Sequence, residues 1–206
     1  MYIPKNFLTT DSAEIVSFMK QYSFGTIINT QNNYPIATHL PFLVSVKDDQ
    51  VVLSSHFAKA NPQWEIIAAH PSLVIFTEPH AYISPQHYEK ELNVPTWNYF
   101  SVHAYGQGKI LTDETQTYKI LEATINSYEP AYKKQWDALP EEYKSKMIKG
   151  IVAFEIVVND LQAKKKLSQN RTDIEKEKII SHLSVSENQN EKEIARYMSQ
   201  LKEAGK

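Results

Sequence analysis

The feature of this sequence that most constrains its fold is a succession of short apolar segments rich in β-branched residues, each bounded by polar turns. Two segments flank the polar cluster Gln31-Asn32-Asn33 and predict a β-hairpin, and Val51–His56 predicts a third strand. Because the strands are joined by hairpins or short helices, they favour an antiparallel barrel over a doubly wound sheet. The remaining predicted strands are Ser72–Thr77, Tyr99–Leu111 and Ile151–Val158.

Helical periodicity is confined to segments between or after these strands. Apolar residues recur at helical spacing over Asp11–Tyr22 and Thr112–Tyr128, and another helical segment begins at Pro140. The predicted fold class is therefore mainly β with peripheral helices. Residues 172–206 are rich in Glu, Lys, Ser and Asn, and we predict a solvated helical tail that packs one weak apolar face, with a partner-binding helix as the alternative.

The stretch from Pro79 to Gly106 combines several aromatic residues with three histidines. Pro79, Pro85 and Pro95 exclude a continuous helix and stiffen the backbone. A long, ordered loop in a small protein is more often functional than a plain connection. We therefore predict a ligand site or subunit contact here, and the alternative is a loop that only packs.

Composition excludes several classes of protein. The chain contains no cysteine, which excludes disulfides, thiol catalysis and cysteine-held metals and fits a reducing cytoplasm. The net charge of −2 provides no general attraction to nucleic acid or anionic lipid, and Arg171 and Arg196 are the chain's two arginines. No basic segment followed by an apolar one opens the chain, and no apolar run reaches about 18 residues. We expect a cytoplasmic protein that does not enter a membrane.

One group of polar residues could hold a phosphate. Hydroxyls, imidazoles and an ammonium cluster where a strand leads into a short helix that Asn61 can cap and Pro62 can open. A helix N-terminus there would add N–H donors for an anion. The alternative is a capped helix beside solvated polar groups, and the residues leave both open. The group comprises Thr38, His39, Ser54, Ser55, His56, Lys59 and Asn61.

Two other clusters carry weaker signals. His80, His87 and Glu89 do not have the spacing of a helical or finger-type metal site, so no metal is predicted. The segment 164–171, KKKLSQNR, could contact a phosphate or nucleic acid, although charged runs at strand ends are usually solvated. No nucleophile elbow, zincin helix or NTPase phosphate loop is present, and spacing assigns no acid/base pair.

Eight ordered motifs nevertheless resemble one family, the PaiB family, over residues 1 to about 171. The motifs are MYIPKNF, FGTI, PIATHLPF, SSHFAKANPQW, VIFTEPHAYISPQHY, VPTWNYFSVHAYG, IVAFEI and KLSQNR. Members are described as FMN-binding negative transcriptional regulators, related to the pyridoxamine-phosphate-oxidase type of split barrel that binds FMN across a homodimer interface. The resemblance implies an FMN-binding split β-barrel at residues 1–171, followed by the helical tail 172–206, in which no motif is recognised.

The resemblance also implies a set of cofactor-binding residues. The strand Thr38, His39 and Leu40 would lie along the flavin, and Ser54, Ser55, His56, Lys59 and Asn61 would hold its phosphate side. The partner subunit would contribute Trp97 and Asn98, with Tyr82–Ser84 as further candidates, and Lys166, Ser168, Gln169 and Arg171 would close the site. The chain has Lys165 where relatives often carry an aromatic residue, and its C-terminal wall departs from the pattern there.

Two functions follow from the resemblance. The first is a homodimeric FMN-binding regulator of transcription, for which direct DNA contact has weak support because no helix-turn-helix, zinc finger or basic stripe is found. The second is a flavin-dependent oxidoreductase or flavin-reductase-like enzyme, in which FMN supplies the redox chemistry. A split barrel that has kept its dimer and lost its cofactor is the third alternative. The sequence assigns no catalytic residue.

Overall fold

The computed structural model describes residues 1–204, which contain eight strands and six α-helices. The strands are β1 (Leu8–Thr9), β2 (Phe24–Gln31), β3 (Tyr34–Pro41), β4 (Leu43–Lys47), β5 (Gln50–Ala58), β6 (Pro71–Ile83), β7 (Thr96–Ile110) and β8 (Ile151–Lys166). The α-helices are α1 (Ser12–Gln21), α2 (Glu114–Tyr128), α3 (Lys133–Ala138), α4 (Glu141–Ile148), α5 (Asp173–Ser184) and α6 (Gln189–Ala204). Short 3-10 helices occur at Lys5–Phe7, Pro62–Glu65, Pro85–His87 and Pro130–Tyr132.

The strands form one mainly antiparallel sheet. Its order is β3-β2-β6-β7-β8-β5-β4, and β1 pairs with β8. Two hairpins, β2–β3 and β4–β5, end in two-residue turns at Asn32-Asn33 and Asp48-Asp49. All four turn residues have positive φ, as a type I′ hairpin turn requires, and Asn and Asp tolerate that conformation best after glycine. The predicted hairpin at Gln31–Asn33 is confirmed.

The chain divides into two compact units. The central unit comprises Ser12–Phe76 and His103–Leu161, and the terminal unit comprises Met1–Asp11, Thr77–Val102 and the described chain from Gln162 onward. Strands β6, β7 and β8 each begin in one unit and continue into the other.

Aromatic residues form the core of the central unit. Phe57 stacks on Phe154 with ring centroids 4.8 Å apart, and Phe42 meets Phe154 and Phe76 edge to face. All four rings are essentially inaccessible to solvent. They come from β5, β8 and β6 and from the residue between β3 and β4, so the core holds the ends of both hairpins in place.

The C-terminal helices contribute to the core of the terminal unit. On α6, Ile194, Tyr197 and Met198 are buried, and Tyr197 packs edge to face on Phe100 of β7. Thr172 opens α5 with a capping box to Glu175, which accounts for the sharp start of that helix. The apolar face predicted for this tail is buried at these three positions, and it packs more extensively than a weak face would. Arg196 lies over the Tyr197 ring, 4.6 Å from its centroid.

The strand predicted at Tyr99–Leu111 is confirmed, but the loop predicted before it, from Pro79, is wrong at both ends. Strand β6 runs on to Ile83 and β7 starts at Thr96, so only residues 84–95 lie between strands. The prolines exclude helix but not strand: Pro79 lies within β6 and Pro95 directly precedes β7, whereas Pro85 opens a 3-10 helix that Ser84 caps. The aromatic residues of 96–105 belong to a strand whose side chains alternate between two faces.

Two histidines of the terminal unit pack against each other. The His87 and His182 rings are 4.8 Å apart, between the 3-10 helix Pro85–His87 and α5. Burial, with the nearby positive charges of His182 and Lys178, lowers the pKa of His87 below its usual value. The unfolded chain therefore binds a proton more readily than the folded chain as the pH falls from about 6.5 toward the lowered pKa.

We expect folding stability to fall through that pH window and the slope to be shallower in His87→Gln. Urea unfolding at pH 7.5 and pH 5.5 measures both slopes. His56 and His103 have pKa values that burial also lowers, so a residual slope is expected in the variant. Equal slopes in the two proteins would show that His87 does not contribute.

Candidate functional site

In the central unit, Thr38 and Asn61 lie together, although 23 positions separate them in the sequence. The Asn61 side-chain amide donates to Thr38 Oγ1 at 2.9 Å, and Thr38 Oγ1 donates to Gln63 Oε1 at 2.6 Å. Asn61 Oδ1 accepts from the Gln63 backbone N–H at 3.0 Å, as expected of the residue that caps the following helix. Both side chains thus form hydrogen bonds within the protein. These bonds fix the conformation of the segment and leave few donors for a ligand.

The helix that Asn61 caps is a 3-10 turn of four residues, Pro62–Glu65. The sequence predicted a short helix whose N-terminus would attract an anion. A single 3-10 turn aligns too few peptide dipoles for that effect, since the macrodipole arises from several aligned units. The charge available to a phosphate in this segment is therefore that of Lys59.

Lys59 is exposed, and its backbone is held at both ends. Its N–H donates to the Gly150 carbonyl at 2.8 Å, and its carbonyl accepts from Trp64 Nε1 at 2.9 Å. Within residues 1–204, no carboxylate forms an ion pair with the Lys59 ammonium. The lysine thus combines a fixed backbone with an uncompensated charge, a combination suited to binding an anion.

Strand β3 carries the three residues expected along the flavin. Thr38 and Leu40 are half-buried, whereas His39 is exposed and stacks on the exposed Phe24 ring with centroids 6.4 Å apart. Alternation along the strand places His39 on the opposite face from its two neighbours. One ligand surface can therefore contact the side chain of His39 or those of Thr38 and Leu40, together with the shared backbone.

Strand β5 separates Ser54, Ser55 and His56 in the same way. Ser55 shares a face with the fully buried Phe57 and donates its hydroxyl to the Pro41 carbonyl at 2.7 Å. His56 lies half-buried on the other face, and burial lowers the pKa of its imidazole, so the ring is neutral at pH 7. The strand does not present all three residues to one ligand.

Ser54 is the member of this set least suited to a phosphate. Its hydroxyl donates to Glu155 Oε1 at 3.3 Å, and Lys47 forms an ion pair with the same carboxylate oxygen at 2.9 Å. A carboxylate beside the hydroxyl repels an anion, and Lys47 is already used to balance it. Ser54 lines a cleft of about 490 Å³ whose walls come from α1, α2, the β4–β5 hairpin and Glu155 of β8.

In the terminal unit, Trp97 lies in an exposed aromatic cluster. Its side chain is 51% exposed, and its ring centroid is 5.8 Å from that of Tyr82 and 5.9 Å from that of His80. Monomeric proteins rarely expose several large aromatic rings together without a binding role. This cluster is available to a planar ligand or a partner surface.

Asn98, the neighbour of Trp97, is fully buried on the opposite face of β7. Its side-chain amide donates to Ser168 Oγ at 3.0 Å, and that hydroxyl is 3.2 Å from Asn98 Oδ1. Ser168 has a positive φ and is also buried. The structure brings the two predicted residues together, but their side chains are hydrogen-bonded to each other and support the turn after β8.

Two cations remain among the C-terminal residues of the predicted set. Lys166 donates to Thr96 Oγ1, and burial together with the charges of Lys164 and Arg171 lowers the pKa of its ammonium. The Arg171 guanidinium lies 3.7 Å from the centroid of the Tyr88 ring and donates to Asn93 Oδ1 at 2.8 Å. An aromatic face leaves the charge of Arg171 largely available to an anion.

Gln169 has a structural part in this turn. Its Oε1 accepts from the Leu167 backbone N–H at 2.7 Å, and its amide donates to the Lys165 carbonyl. The side chain thereby replaces a backbone turn and holds the segment between Lys166 and Arg171.

Sequence reasoning missed three functional candidates, which are His103, Tyr88 and Gln63. His103 Nδ1 and the Tyr88 hydroxyl are buried without a hydrogen-bond partner among the described residues, and buried polar atoms of this kind call for an explanation. One signal could have identified His103, namely the alternation along β7 of Trp97, Tyr99, Ser101, His103 and Tyr105. Nothing in the sequence marks Gln63, the third, as buried.

Neither a metal-binding cluster nor a membrane-spanning helix is found in residues 1–204. No three or more histidine, aspartate or glutamate side chains are grouped so that they could hold a metal ion. In the same part of the chain, no helix has the length and apolar character needed to cross a membrane.

Each unit carries charged or polar groups of its own that remain available to a ligand. The central unit offers the Lys59 ammonium and the buried ring nitrogen of His103. The terminal unit offers Lys166 and Arg171 together with the exposed Trp97 ring. Cations suit a phosphate, and aromatic faces suit a planar ring system. Each unit, taken by itself, thus presents a cation that suits an anionic group, and the terminal unit also presents an exposed aromatic ring.

The architecture places the protein in a class. The flavocytochrome Anf3 from Azotobacter vinelandii superimposes with a TM-score of 0.63 at 14% identity, over 80% of this chain and 72% of that one. The FAD and heme binding protein from Mycobacterium smegmatis gives a TM-score of 0.60 at 15% identity, over 77% of this chain and 72% of that one. The fold is that of the flavin-binding split barrels, which confirms the predicted fold class.

Sequence comparison identifies the family. Residues 1–160 match the family model described as "Putative FMN-binding domain". Protease synthase and sporulation protein PAI 2 of Bacillus subtilis is 43% identical over 201 residues, which cover 96% of each chain. The chain belongs to the PaiB family of FMN-binding-domain proteins. The resemblance drawn from the eight motifs is confirmed.

Proposed function

We propose that the protein is a homodimer that binds FMN and acts as a regulator of the PaiB type. The observation that carries the proposal is the uncompensated Lys59 ammonium, on a fixed backbone, within a chain that matches an FMN-binding family model over residues 1–160. The proposed division is an FMN-binding part at residues 1–171 followed by a helical tail at residues 172–206. When bound, FMN supplies one- and two-electron redox chemistry.

The chain's own residues would have distinct tasks in this site. Lys59 would bind the phosphate, and the β3 backbone around Thr38–Leu40 would lie along the ring system. Lys166 and Arg171 are further cations for an anionic group, and Trp97 would cover the flavin from the partner subunit. Asn98, Ser168 and Gln169 would act by holding the turn after β8, since their side chains are engaged there.

Regulation by direct DNA contact is not favoured by the charge of the chain. The net charge is −2, and affinity for DNA depends strongly on neutralising phosphates with basic side chains. The name of the Bacillus subtilis relative refers to protease synthesis and sporulation. We infer that the regulatory output of this chain depends on its flavin or on a protein partner more than on reading a DNA sequence.

A flavin-dependent oxidoreductase is the second candidate function. His103 favours it, because its Nδ1 atom is buried without a partner among the described residues and burial keeps the ring neutral at pH 7. A neutral imidazole with a free nitrogen can donate or accept one hydrogen bond to a bound ligand. This is a property of a site that handles protons during redox chemistry.

An absorbance titration of the purified protein with FMN tests the proposal. Saturable binding with a stoichiometry of one flavin per chain is expected, and no binding would refute it. Anaerobic addition of NAD(P)H then separates the two functions, because rapid bleaching of the bound flavin supports the oxidoreductase. Retention on DNA that falls steeply with salt would instead support direct DNA contact.

Trp97→Ala is expected to weaken dimerisation and FMN retention together. A large aromatic residue at the centre of an interface typically contributes about 2 kcal/mol or more, which corresponds to roughly a 30-fold weaker dimer. Sedimentation across a dilution series and flavin titration measure the two effects. Tyr143→Ala is the control, because Tyr143 is 50% exposed on α4 and belongs to the other unit. A Trp97→Ala protein that dimerises and binds flavin normally would exclude the shared role.

A further inference from the structure

Gln63 is a buried glutamine at the centre of a polar network in the central unit. Its side chain is almost inaccessible, since the residue is 1% exposed. Its amide nitrogen donates to Asn29 Oδ1 at 3.0 Å and lies 3.3 Å from the Ile27 carbonyl and 3.4 Å from that of Ile36. Its oxygen accepts from Thr38 Oγ1 at 2.6 Å. Every polar atom of the side chain therefore has a partner, as burial demands.

The partners of Gln63 extend the network into four segments of the chain. Thr38 belongs to β3 and also accepts from Asn61, whose own oxygen accepts from the Gln63 backbone. Asn29 belongs to β2 and donates to Ser72 Oγ on β6 at 2.8 Å. One side chain thereby fixes two strands and the capped turn to one another.

The network ends next to the residue that the proposed function depends on. The turn that begins at Asn61 carries Trp64, whose Nε1 donates to the Lys59 carbonyl at 2.9 Å. The Lys59 N–H is held in turn by the Gly150 carbonyl. A shift of the turn would therefore move the carbonyl end of the Lys59 backbone. Thr38 would move only with β3, so the relative position of Lys59 and Thr38 would change.

We propose that Gln63 is a positioning residue for FMN, which it need not contact: it holds β3 and the Lys59–Asn61 segment in the relative arrangement that the cofactor requires. The inference rests on the proposed function. A site holds its ligand well only when the supporting side chains lock the contacting residues in place, so loss of Gln63 weakens binding through Thr38 and Lys59. A purely structural glutamine would lower stability without a selective effect on flavin.

Gln107, which is exposed, provides a control for the loss of side-chain hydrogen bonds to the backbone. It is a second glutamine of the central unit whose amide donates to backbone carbonyls, at 3.1 Å to Ile67 and 2.6 Å to Ala68. It ties down the segment after the 3-10 turn, but it bonds neither Thr38 nor Asn61. Gln63→Met and Gln107→Met each remove several side-chain hydrogen bonds with little change in side-chain volume, the first set buried and the second largely exposed.

The first test compares the FMN dissociation constants and unfolding midpoints of the two variants. We expect Gln63→Met to lose more stability than Gln107→Met, because its hydrogen bonds are buried. Only Gln63→Met is expected to bind FMN about tenfold or more weakly, a change equivalent to losing one hydrogen bond. Equal affinity of Gln63→Met and wild type would overturn the inference. Equal weakening in both variants would also overturn it, because general destabilisation would then explain the effect.

The second test needs no flavin. Amide hydrogen exchange of the ligand-free protein reports on the Lys59 N–H, which is bonded to the Gly150 carbonyl. We expect faster exchange at Lys59 and shifted resonances at Thr38 in Gln63→Met, with little change in Gln107→Met. Unchanged signals would overturn the positioning role even if the wild type bound no FMN, so this result is separable from failure of the proposed function.

A milder variant covers the case in which Gln63→Met does not fold. Thr38→Val removes the hydroxyl that joins Gln63 to Asn61 and leaves Gln63 bonded to Asn29. The same loss of Lys59 protection and of FMN affinity, at smaller size, is expected. A folded Thr38→Val protein with both properties intact would overturn the inference.

Discussion

Replacing Gly106 with alanine is expected to destabilise the protein by about 3 kcal/mol or more, because a side chain cannot be accommodated at this point of the sheet. A Cβ atom at Gly106 would lie 2.3 Å from the Val157 carbonyl oxygen and 2.6 Å from Ile156 Cγ2. The first contact is with backbone, so β8 itself would have to move. Urea unfolding of the variant should show a much lower midpoint than that of the wild type.

Gly150→Ala is the control for this prediction. The nearest atom to a Cβ at Gly150 is the Met147 carbonyl oxygen at 3.3 Å, and the residue does not have a positive φ. A small shift is enough there, so we expect a change of less than about 1 kcal/mol. Similar midpoints for the two variants would show that β7 and β8 are not in the close contact described.

Lys59→Ala is expected to weaken FMN binding by about 1.5–3 kcal/mol, or roughly 10- to 150-fold, because it removes a charge-assisted hydrogen bond to the phosphate. Folding stability should hardly change, since the ammonium is exposed and has no ion-pair partner in the described chain. Flavin fluorescence titration measures the affinity. The difference between the two proteins should shrink at high salt, as for any exposed charge.

Lys134→Ala separates this local effect from a general loss of positive charge. Lys134 is an exposed lysine of α3 in the same unit, away from the predicted site residues in the sequence. We expect its FMN affinity to match that of the wild type. If Lys59→Ala behaves like Lys134→Ala, Lys59 does not bind the phosphate and another cation must do so.

The parts of the fold that were predictable depend on local chemistry. Asn32-Asn33 and Asp48-Asp49 tolerate positive φ, and such pairs mark hairpin turns without any knowledge of tertiary contacts. Asn61 followed by Pro62 predicts a capped turn, and the structure has one. The type of helix was not predictable, because a 3-10 turn and the first turn of an α-helix share the same cap.

The lengths of the central strands were harder to predict, because the relevant contacts are distant in sequence. Strand β7 begins at Thr96 among residues whose proline and aromatic content also suits a loop. Only burial of every second side chain, such as Asn98 and Phe100, distinguishes the strand. That burial depends on partners such as Ser168 and Tyr197, about 70 and 97 positions away in the chain, respectively.

The candidate site was predictable as a set of residue types but not as a geometry. The motifs point to Ser54, Ser55 and His56 together, yet the pleat of β5 directs neighbours to opposite faces. Likewise, the sequence does not show that the Asn98 side chain is hydrogen-bonded to Ser168 or that Gln63 is buried. Which polar groups remain free for a ligand is decided by packing, which residue types alone do not reveal.

The two arginines give the chain a built-in pair for chemical labelling. Among 22 basic residues they are the two that an arginine-selective reagent such as phenylglyoxal would modify, and each lies over a tyrosine ring. Arg171 belongs to the residues proposed for the cofactor, whereas Arg196, on α6, does not. The ratio of the labelling of Arg171 to that of Arg196, measured in one mass spectrum, therefore reports ligand occupancy at Arg171. Arg196 is the internal reference, because it belongs to the same molecule.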